Sequence, residues 1–289
     1  IGHEIAGVVA GFGAGVKGYK KGDRVIIVTP VGCGICDTCR QGRPNLCYNF
    51  KAIGYNYSGG FAEYMIMPAE AVRQGNVVVI PDSVSFEEAA VVEPFSCVIN
   101  GQSYLDIQPG DKVVVMGAGT IGCLHAALAK SRGAGLVILT EAFSQKRLDI
   151  AKEVANPDIL ILSQNPVEEV LKATGGRGAD AVIVACGAGS AQEQSVMMAA
   201  IRGRVSFFGG LPKDKPCINL NSNIVHYKEL SVFGAYASYH YQYVQALNLV
   251  AAGHVKAAKF VTHKFKLEDI AKAFDCAKSG EALKVLILP

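Results

Sequence analysis

Short apolar runs broken by glycine and polar turns mark the first third of the chain. Ile5–Val9, Arg24–Val28 and Ala62–Met67 predict strands, and residues 1–95 read as a β-rich region. From about residue 100 to 235 the pattern changes. Buried-strand runs (Lys112–Met116, Leu136–Thr140, Ile159–Leu162, Ala181–Ala185, Val205–Phe208, Leu230–Phe233) alternate, in their earlier part, with helical-period stretches such as Ile121–Ser131 and Ser144–Val154. Alternation of this kind predicts a parallel sheet with helices on both faces. Residues 236–289 predict helices over 241–252 and 267–279 and strands over 260–265 and 284–288. No internal repeat or low-complexity linker interrupts the chain.

Composition narrows the class. Half of the 289 residues are hydrophobic and 18% are charged, the balance of a compact enzyme and not of a disordered chain. The net charge of +3, with no basic run, gives no footprint for nucleic acid. No apolar run approaches the ~18–20 residues of a membrane helix, and no basic-then-apolar start marks a signal peptide. The chain opens at Ile1-Gly2-His3-Glu4 without an initiator Met, so it reads as lacking an N-terminal segment. Of nine cysteines, Cys33, Cys36, Cys39 and Cys47 fall within fifteen positions. Cys97, Cys123, Cys186, Cys217 and Cys276 are scattered among apolar neighbours. An odd count with one tight cluster predicts a metal site plus core thiols in a reducing compartment, the cytoplasm.

Two motifs carry chemistry on their own. Lys112–Met116 runs into Gly117-Ala118-Gly119-Thr120-Ile121-Gly122, a G-x-G-x-x-G directly after a predicted strand and opening a helix. Its glycines permit a tight turn, close approach of a pyrophosphate and close helix packing, and the helix N-terminus favours an anion. The next strand ends at Glu141, 24 residues after Gly117. An acid there accepts hydrogen bonds from ribose hydroxyls and repels a 2′-phosphate, which favours NAD over NADP, although Lys146 and Arg147 lie nearby. Cys186-Gly187 and Phe208-Gly209-Gly210 end later strands and are expected along the nicotinamide half. The second motif, Cys33-x2-Cys36-x2-Cys39-x7-Cys47, can close four thiolates around Zn²⁺ and leaves no open coordination position, so that site is expected to be structural.

These residues carry a resemblance to the zinc-dependent medium-chain dehydrogenase/reductase family. Gly2-His3-Glu4 with Gly7, the four-cysteine lobe, Gly59-Gly60-Phe61-Ala62-Glu63-Tyr64, Glu93-Pro94 and Gly117–Gly122 match in order along the whole chain. Glu93-Pro94, where primary alcohol dehydrogenases carry a Cys, makes the sorbitol/polyol and threonine dehydrogenase branch the most similar one. The resemblance implies a Rossmann-type doubly wound parallel sheet (97–236, binding NAD) joined to a GroES-like β-rich catalytic domain (1–96, with a zinc lobe at 31–48, returning over 237–289). It places the active site in the interdomain cleft and implies a homodimer or homotetramer.

By the same resemblance a catalytic Zn²⁺ is held by His3, Glu4 and Glu93, with a Cys ligand and a proton-relay hydroxyl upstream of Ile1, in roughly 55–65 residues absent by comparison. The cofactor-binding set is Gly117, Gly119, Thr120, Ile121, Gly122, Glu141, Arg147, Cys186, Gly187, Phe208 and Gly209. Thr120 departs from the proline often found there. An open-site Zn²⁺ lowers the pKa of a substrate hydroxyl, hydride passes to NAD, and a carboxylate-rich ligand set suits a small-molecule alcohol or polyol.

Plainer readings stand beside these. His3 is also readable as a hydrogen-bonded core histidine, Glu4 as a group that orients the site, and Glu93 as an acid neutralised by a buried Arg202 or Arg204. Cys97 and His125 read as packing, and Tyr55, Tyr57 and Phe61 as packing or pocket walls. The competing functions are an L-threonine 3-dehydrogenase-like amino-alcohol oxidation and a non-catalytic NAD-binding protein of the same fold.

Overall fold

The computed structural model describes residues 1–289, which form two compact units: Ile1–Ile99 with Tyr236–Pro289, and Asn100–Ala235. In chain order the first unit contributes β1 (Ala6–Val8), β2 (Arg24–Ile27), β3 (Pro30–Val31), α1 (Asp37–Arg40), β4 (Lys51–Ala52), α2 (Ala69–Arg73), β5 (Val77–Val79), α3 (Phe86–Ala90) and the start of α4 (Val92–Ser103). The second holds β6 (Lys112–Met116), α5 (Thr120–Ser131), β7 (Leu136–Glu141), α6 (Gln145–Val154), β8 (Ile159–Leu162), α7 (Val167–Ala173), β9 (Ala179–Val184), α8 (Gly189–Met198), β10 (Ala199–Phe207), α9 (Ser222–Tyr227) and β11 (Ser231–Gly234). The chain then returns to the first unit with α10 (His240–Ala251), β12 (Val261–Lys266), α11 (Ile270–Ser279) and β13 (Lys284–Leu288).

The second unit is a six-stranded sheet in the order β11-β10-β9-β6-β7-β8, every pairing parallel. Its central strands β6, β7 and β9 are buried on both faces, as their unbroken apolar sequences require, whereas the edge strands β8 and β11 are partly exposed. Val114, Ile138, Val182, Val184 and Val205 pack one core with Val170 of α7 and Val196 and Met198 of α8. The first unit is built from smaller pieces. β1-β2-β5 is antiparallel, β3 pairs with β4, and β12 pairs in parallel with β13. Val25, Ile27, Val31, Ile53 and Ala71 form its core under β2.

Two expectations for the first unit change. Ala62–Met67 forms no strand: it pairs with no neighbour, although its alternation is kept, with Met65 and Met67 packed on the core under β2 and Tyr64 and Ile66 79% and 85% exposed. The region is also less purely β than its glycines suggest, because α3 and α4 run directly up to and through Glu93-Pro94. Ser85 and Glu88 close a reciprocal capping box at the start of α3 (Ser85 Oγ accepts from Glu88 N at 3.2 Å, and Glu88 Oε2 from Ser85 N at 3.0 Å). Pro94 lies in the first turn of α4, where a missing N–H costs nothing.

Candidate active site and metal centres

Three ligand-type side chains meet in the first unit although they come from distant positions. His3 and Glu4 lie just before β1, and Glu93 lies in the first turn of α4. One ligand atom from each falls within 4.8 Å of the others, a separation that a single cation can bridge. The structure thus brings together all three residues expected at the catalytic metal. Arg202 and Arg204, the alternative partners for Glu93, pair instead with Glu229 and Asp111.

The surroundings tune each group. Burial lowers the His3 pKa, and the charge of Lys284 lowers it further, which keeps an imidazole lone pair available to a metal. Burial pushes Glu93 up to about 7, against weaker hydrogen bonding from Cys97 and Tyr243. Cys97 Sγ lies 3.8 Å from Glu93 Oε1 and 3.5 Å from Ser238 Oγ, so this thiol belongs to the polar network of the site and is more than packing. Lys284 on β13 forms a close ion pair with Glu4 Oε2, and burial pushes the ammonium down to about 8. Glu4 therefore has a fixed cationic partner on one oxygen and the other oxygen for a metal.

The His3 backbone is anchored by a chain of hydroxyls that the sequence does not reveal. Buried Tyr243 of α10 donates to Thr29 Oγ1 (3.1 Å) and accepts from Thr29 N (3.1 Å), and Thr29 Oγ1 donates to His3 O (3.0 Å). Tyr55 packs on the His3 ring with centroids 5.1 Å apart and is 71% exposed. An apolar groove of about 1290 Å³ runs past His3 and Glu4, lined by Phe61, Phe86, Phe274 and Leu288. Only Tyr55 and Phe61 of these neighbours carried a signal in sequence. For Lys284 the available signal is a lone cation in an otherwise apolar closing strand.

The cysteine lobe is local and closed. Sγ atoms of Cys33, Cys36, Cys39 and Cys47 all lie within 4.8 Å of one another. Cys36 Sγ and Cys47 Sγ are 3.7 Å apart, close to the ~3.8 Å edge of a tetrahedron with Zn–S of ~2.3 Å. Backbone amides point at the sulfurs: Cys33 N and Asn49 N donate to Cys47 Sγ at 3.2 and 3.3 Å, and Cys36 N to Cys33 Sγ at 3.4 Å. The Thr38 hydroxyl and the Cys39 amide hold Cys36 down at about 5, whereas burial pushes Cys39 up to about 12. A protonated Cys39 beside an ionised Cys36 is an arrangement in which a divalent cation would favour loss of the remaining proton.

The residues expected to bind the cofactor lie in the second unit at or after the carboxyl ends of β6, β7, β9 and β10, the edge on which α/β sheets bind ligands. Gly119 is the N-cap of α5 and offers no side chain to its first amides, which suits a phosphate. A Cβ on Gly122 would lie 1.8 Å from Gly117 O, so the third glycine is a steric necessity for helix and loop to pack. Glu141, 8% exposed at the end of β7, accepts from Ala118 N (3.1 Å) and Phe143 N (3.3 Å), which fixes its carboxylate beside the glycine loop. Thr120 and Ile121 open α5, and Arg147 lies in the first turn of α6 under the Ser144 cap. Cys186-Gly187 follows β9 and Phe208-Gly209 follows β10, with Gly209 N donating to Val184 O at 2.8 Å. This donor set fits a dinucleotide.

Comparison with known proteins agrees. The alcohol dehydrogenase GroES-like domain family matches residues 1–82 and the zinc-binding dehydrogenase family residues 120–252. The chain is 35% identical to the sorbitol dehydrogenase of Bacillus subtilis, over 100% of this chain and 80% of that protein. It is 32% identical to the L-threonine 3-dehydrogenase of Escherichia fergusonii, over 99% of this chain and 82% of that protein. The solved structure of an alcohol dehydrogenase from Escherichia coli CFT073 complexed with NADH superposes with a TM-score of 0.89 at 29% identity, covering 99% and 82% of the two chains. With its paired metal-ligand clusters and its glycine loop on a parallel sheet, the chain belongs to the zinc-dependent medium-chain dehydrogenase family, with relatives among its sorbitol and threonine dehydrogenases.

Proposed function

We propose that this protein is a zinc- and NAD-dependent dehydrogenase that oxidises a secondary alcohol of a polyol or sugar alcohol to the ketone. The meeting of His3, Glu4 and Glu93 within 4.8 Å carries the reading, because it joins one imidazole and two carboxylates in a single open ligand set. When bound there, Zn²⁺ supplies Lewis acidity toward a substrate hydroxyl. NAD supplies the hydride acceptor. The residues of the chain do the remaining work. His3, its main chain anchored through Thr29 and Tyr243, offers a neutral nitrogen, and Glu93 offers a carboxylate once deprotonated. Lys284 orients Glu4 by pairing with one of its oxygens. Tyr55 and Phe61 wall the approach to His3. Glu141 selects the cofactor by accepting from ribose hydroxyls where a 2′-phosphate would meet its charge. The Cys33, Cys36, Cys39 and Cys47 site is structural, with no position left for substrate.

The 32% identity to an L-threonine 3-dehydrogenase supports a second reading, oxidation of a 3-hydroxy amino acid at the same site. Elemental analysis should give two zinc ions per chain. A panel of polyols, simple secondary alcohols and L-threonine with NAD and NADP should show highest kcat/KM for a polyol with NAD. Preference for L-threonine would replace the polyol reading, and zinc confined to the cysteine lobe would remove the metal-dependent one. Assembly is read as a homodimer or homotetramer through β11, whose outer edge is unpaired and whose Val232 is 38% exposed. Light scattering with Val232→Lys tests it. Nine unpaired thiols support a reducing, cytoplasmic setting, which localisation of a tagged chain would check. No helix is long and apolar enough to cross a membrane.

A further inference from the structure

His125 is an unusual residue to bury in a cofactor helix. It lies in α5, the helix that the glycine loop opens, and is 0% exposed, as is Gln102 in the last turn of α4. The Gln102 amide nitrogen donates to His125 O at 2.8 Å, and because a carbonyl only accepts, this bond fixes which end of the amide faces the ring. The same nitrogen lies 3.3 Å from His125 Nδ1, which must then be the acceptor, leaving the ring proton on Nε2. Burial pushes His125 down to about 3, so this neutral tautomer persists across the working pH range. Nε2 and Gln102 Oε1 are both without hydrogen-bond partners. Each such atom costs on the order of 1–3 kcal/mol, which an apolar side chain would have avoided.

The ring's one aromatic contact explains what the imidazole does there. Phe208 meets it edge to face, centroids 4.6 Å apart and planes at 84°, a geometry in which an aromatic face can also receive an N–H. Gly101 packs against both rings: a Cβ there would lie 2.6 Å from Phe208 Cδ2 and 3.4 Å from His125 Cε1, so only glycine leaves Phe208 its place beside the imidazole. From Phe208 the connection continues to the cofactor edge. Gly209, the next residue, is bonded to Val184 O at 2.8 Å, and its own carbonyl accepts from Gln192 Nε2 at 3.1 Å. Its Cα packs on the Cys186 backbone, and Cys186 packs against Gly117 of the phosphate loop.

We propose that His125 is a positioning residue for the nicotinamide half of the cofactor site: its ring, oriented by Gln102, fixes Phe208 against Gly101 and thereby sets the Phe208–Gly210 turn. It rests on the cofactor-site assignment made above. The adenine and phosphate half, built on Gly117–Gly122 and Glu141, does not depend on the Phe208 ring, so the two halves should separate experimentally.

The test uses the full chain and two ligands: NADH, followed by its own fluorescence since the chain has no Trp, and ADP-ribose, which lacks the nicotinamide, followed by calorimetry. His125→Leu and Phe208→Leu should each weaken NADH about 3- to 10-fold, the range an aromatic pair supports, with ADP-ribose affinity held within about twofold. Loss of both ligands alike, or of neither, in these variants would overturn the proposal. Phe208 is only partly buried, so its variant keeps the test available if His125→Leu does not fold. Glu141→Ala is the control: it should weaken both ligands together, and if it weakens neither, the site assignment fails and not the His125 coupling alone.

Discussion

The two clusters of ligand-type side chains in the first unit are built in opposite ways. Cys33, Cys36, Cys39 and Cys47 come from one fifteen-residue loop, present four like ligands and receive backbone N–H groups on their sulfurs. His3, Glu4 and Glu93 come from segments some ninety positions apart, present unlike ligands and depend on side chains of β13 and α10 for their setting. The first arrangement is complete in itself, so it can brace a loop and do no chemistry. The second offers three unlike ligand-type groups, an acid raised by burial to about 7 and a groove lined by His3 and Glu4, features that a substrate-exchanging site would need.

Mutations that strike one cluster and spare the other would sharpen this contrast. The largest effect is expected from His3→Ala, which should lower kcat/KM by about a thousandfold or more and cut zinc from two ions per chain to one. Loss of both ions would mean that the clusters are not independent. Cys47→Ser should instead remove the lobe's zinc and destabilise the fold by about 4 kcal/mol, or roughly 10 °C in Tm, with His3-site zinc retained. An unchanged Tm in scanning calorimetry would show that the lobe carries no stabilising ion.

A third separation is by pH. The Glu93 pKa is raised in the folded chain to about 7, so the folded state holds a proton that the unfolded chain releases near ~4.3. Its contribution to the stability of the zinc-free chain is therefore present below the ordinary carboxylate range and lost as pH rises through about 7, on the order of 4 kcal/mol in total. Zinc affinity at the His3 cluster should move the other way, rising over the same window as Glu93 deprotonates. Urea titrations of the zinc-free chain at pH 5 and pH 8 should show the stability slope, and Glu93→Gln should flatten it. A slope unchanged in that variant would assign it to another group. The smallest effect is expected from Tyr243→Phe, which breaks the hydroxyl chain to His3 O. It should weaken zinc at the His3 cluster about tenfold, with the cysteine lobe untouched. Competition with a metal indicator reads both sites.

The sequence by itself determined the six strands of the second unit and two of its helices, while α7, α8 and α9 carried no predicted bounds. Lys112–Met116 and Ile159–Leu162 are strands with those bounds, and α5 and α6 begin within a residue of their predicted starts. The reason is physical: a sheet buried on both faces needs unbroken β-branched runs, and its crossovers need long helical periods, so each element is written locally. The clustering of Cys33, Cys36, Cys39 and Cys47 was legible for the same reason, all four lying within one loop. The first unit was less so. Its strands are two to six residues long, Ala62–Met67 has the alternation of a strand without a partner, and the helix carrying Glu93 is announced only by Ser85-x-x-Glu88 and Pro94.

Tertiary structure alone decided the environment of the open cluster. That Lys284 pairs with Glu4, that Tyr243 reaches His3 through Thr29, and that Arg202 and Arg204 pair elsewhere follow from contacts across as many as 280 positions. So does the packing of Phe208 with His125 and Gly101. No local periodicity encodes such pairs, because desolvation and charge pairing depend on which surfaces the folded chain brings together.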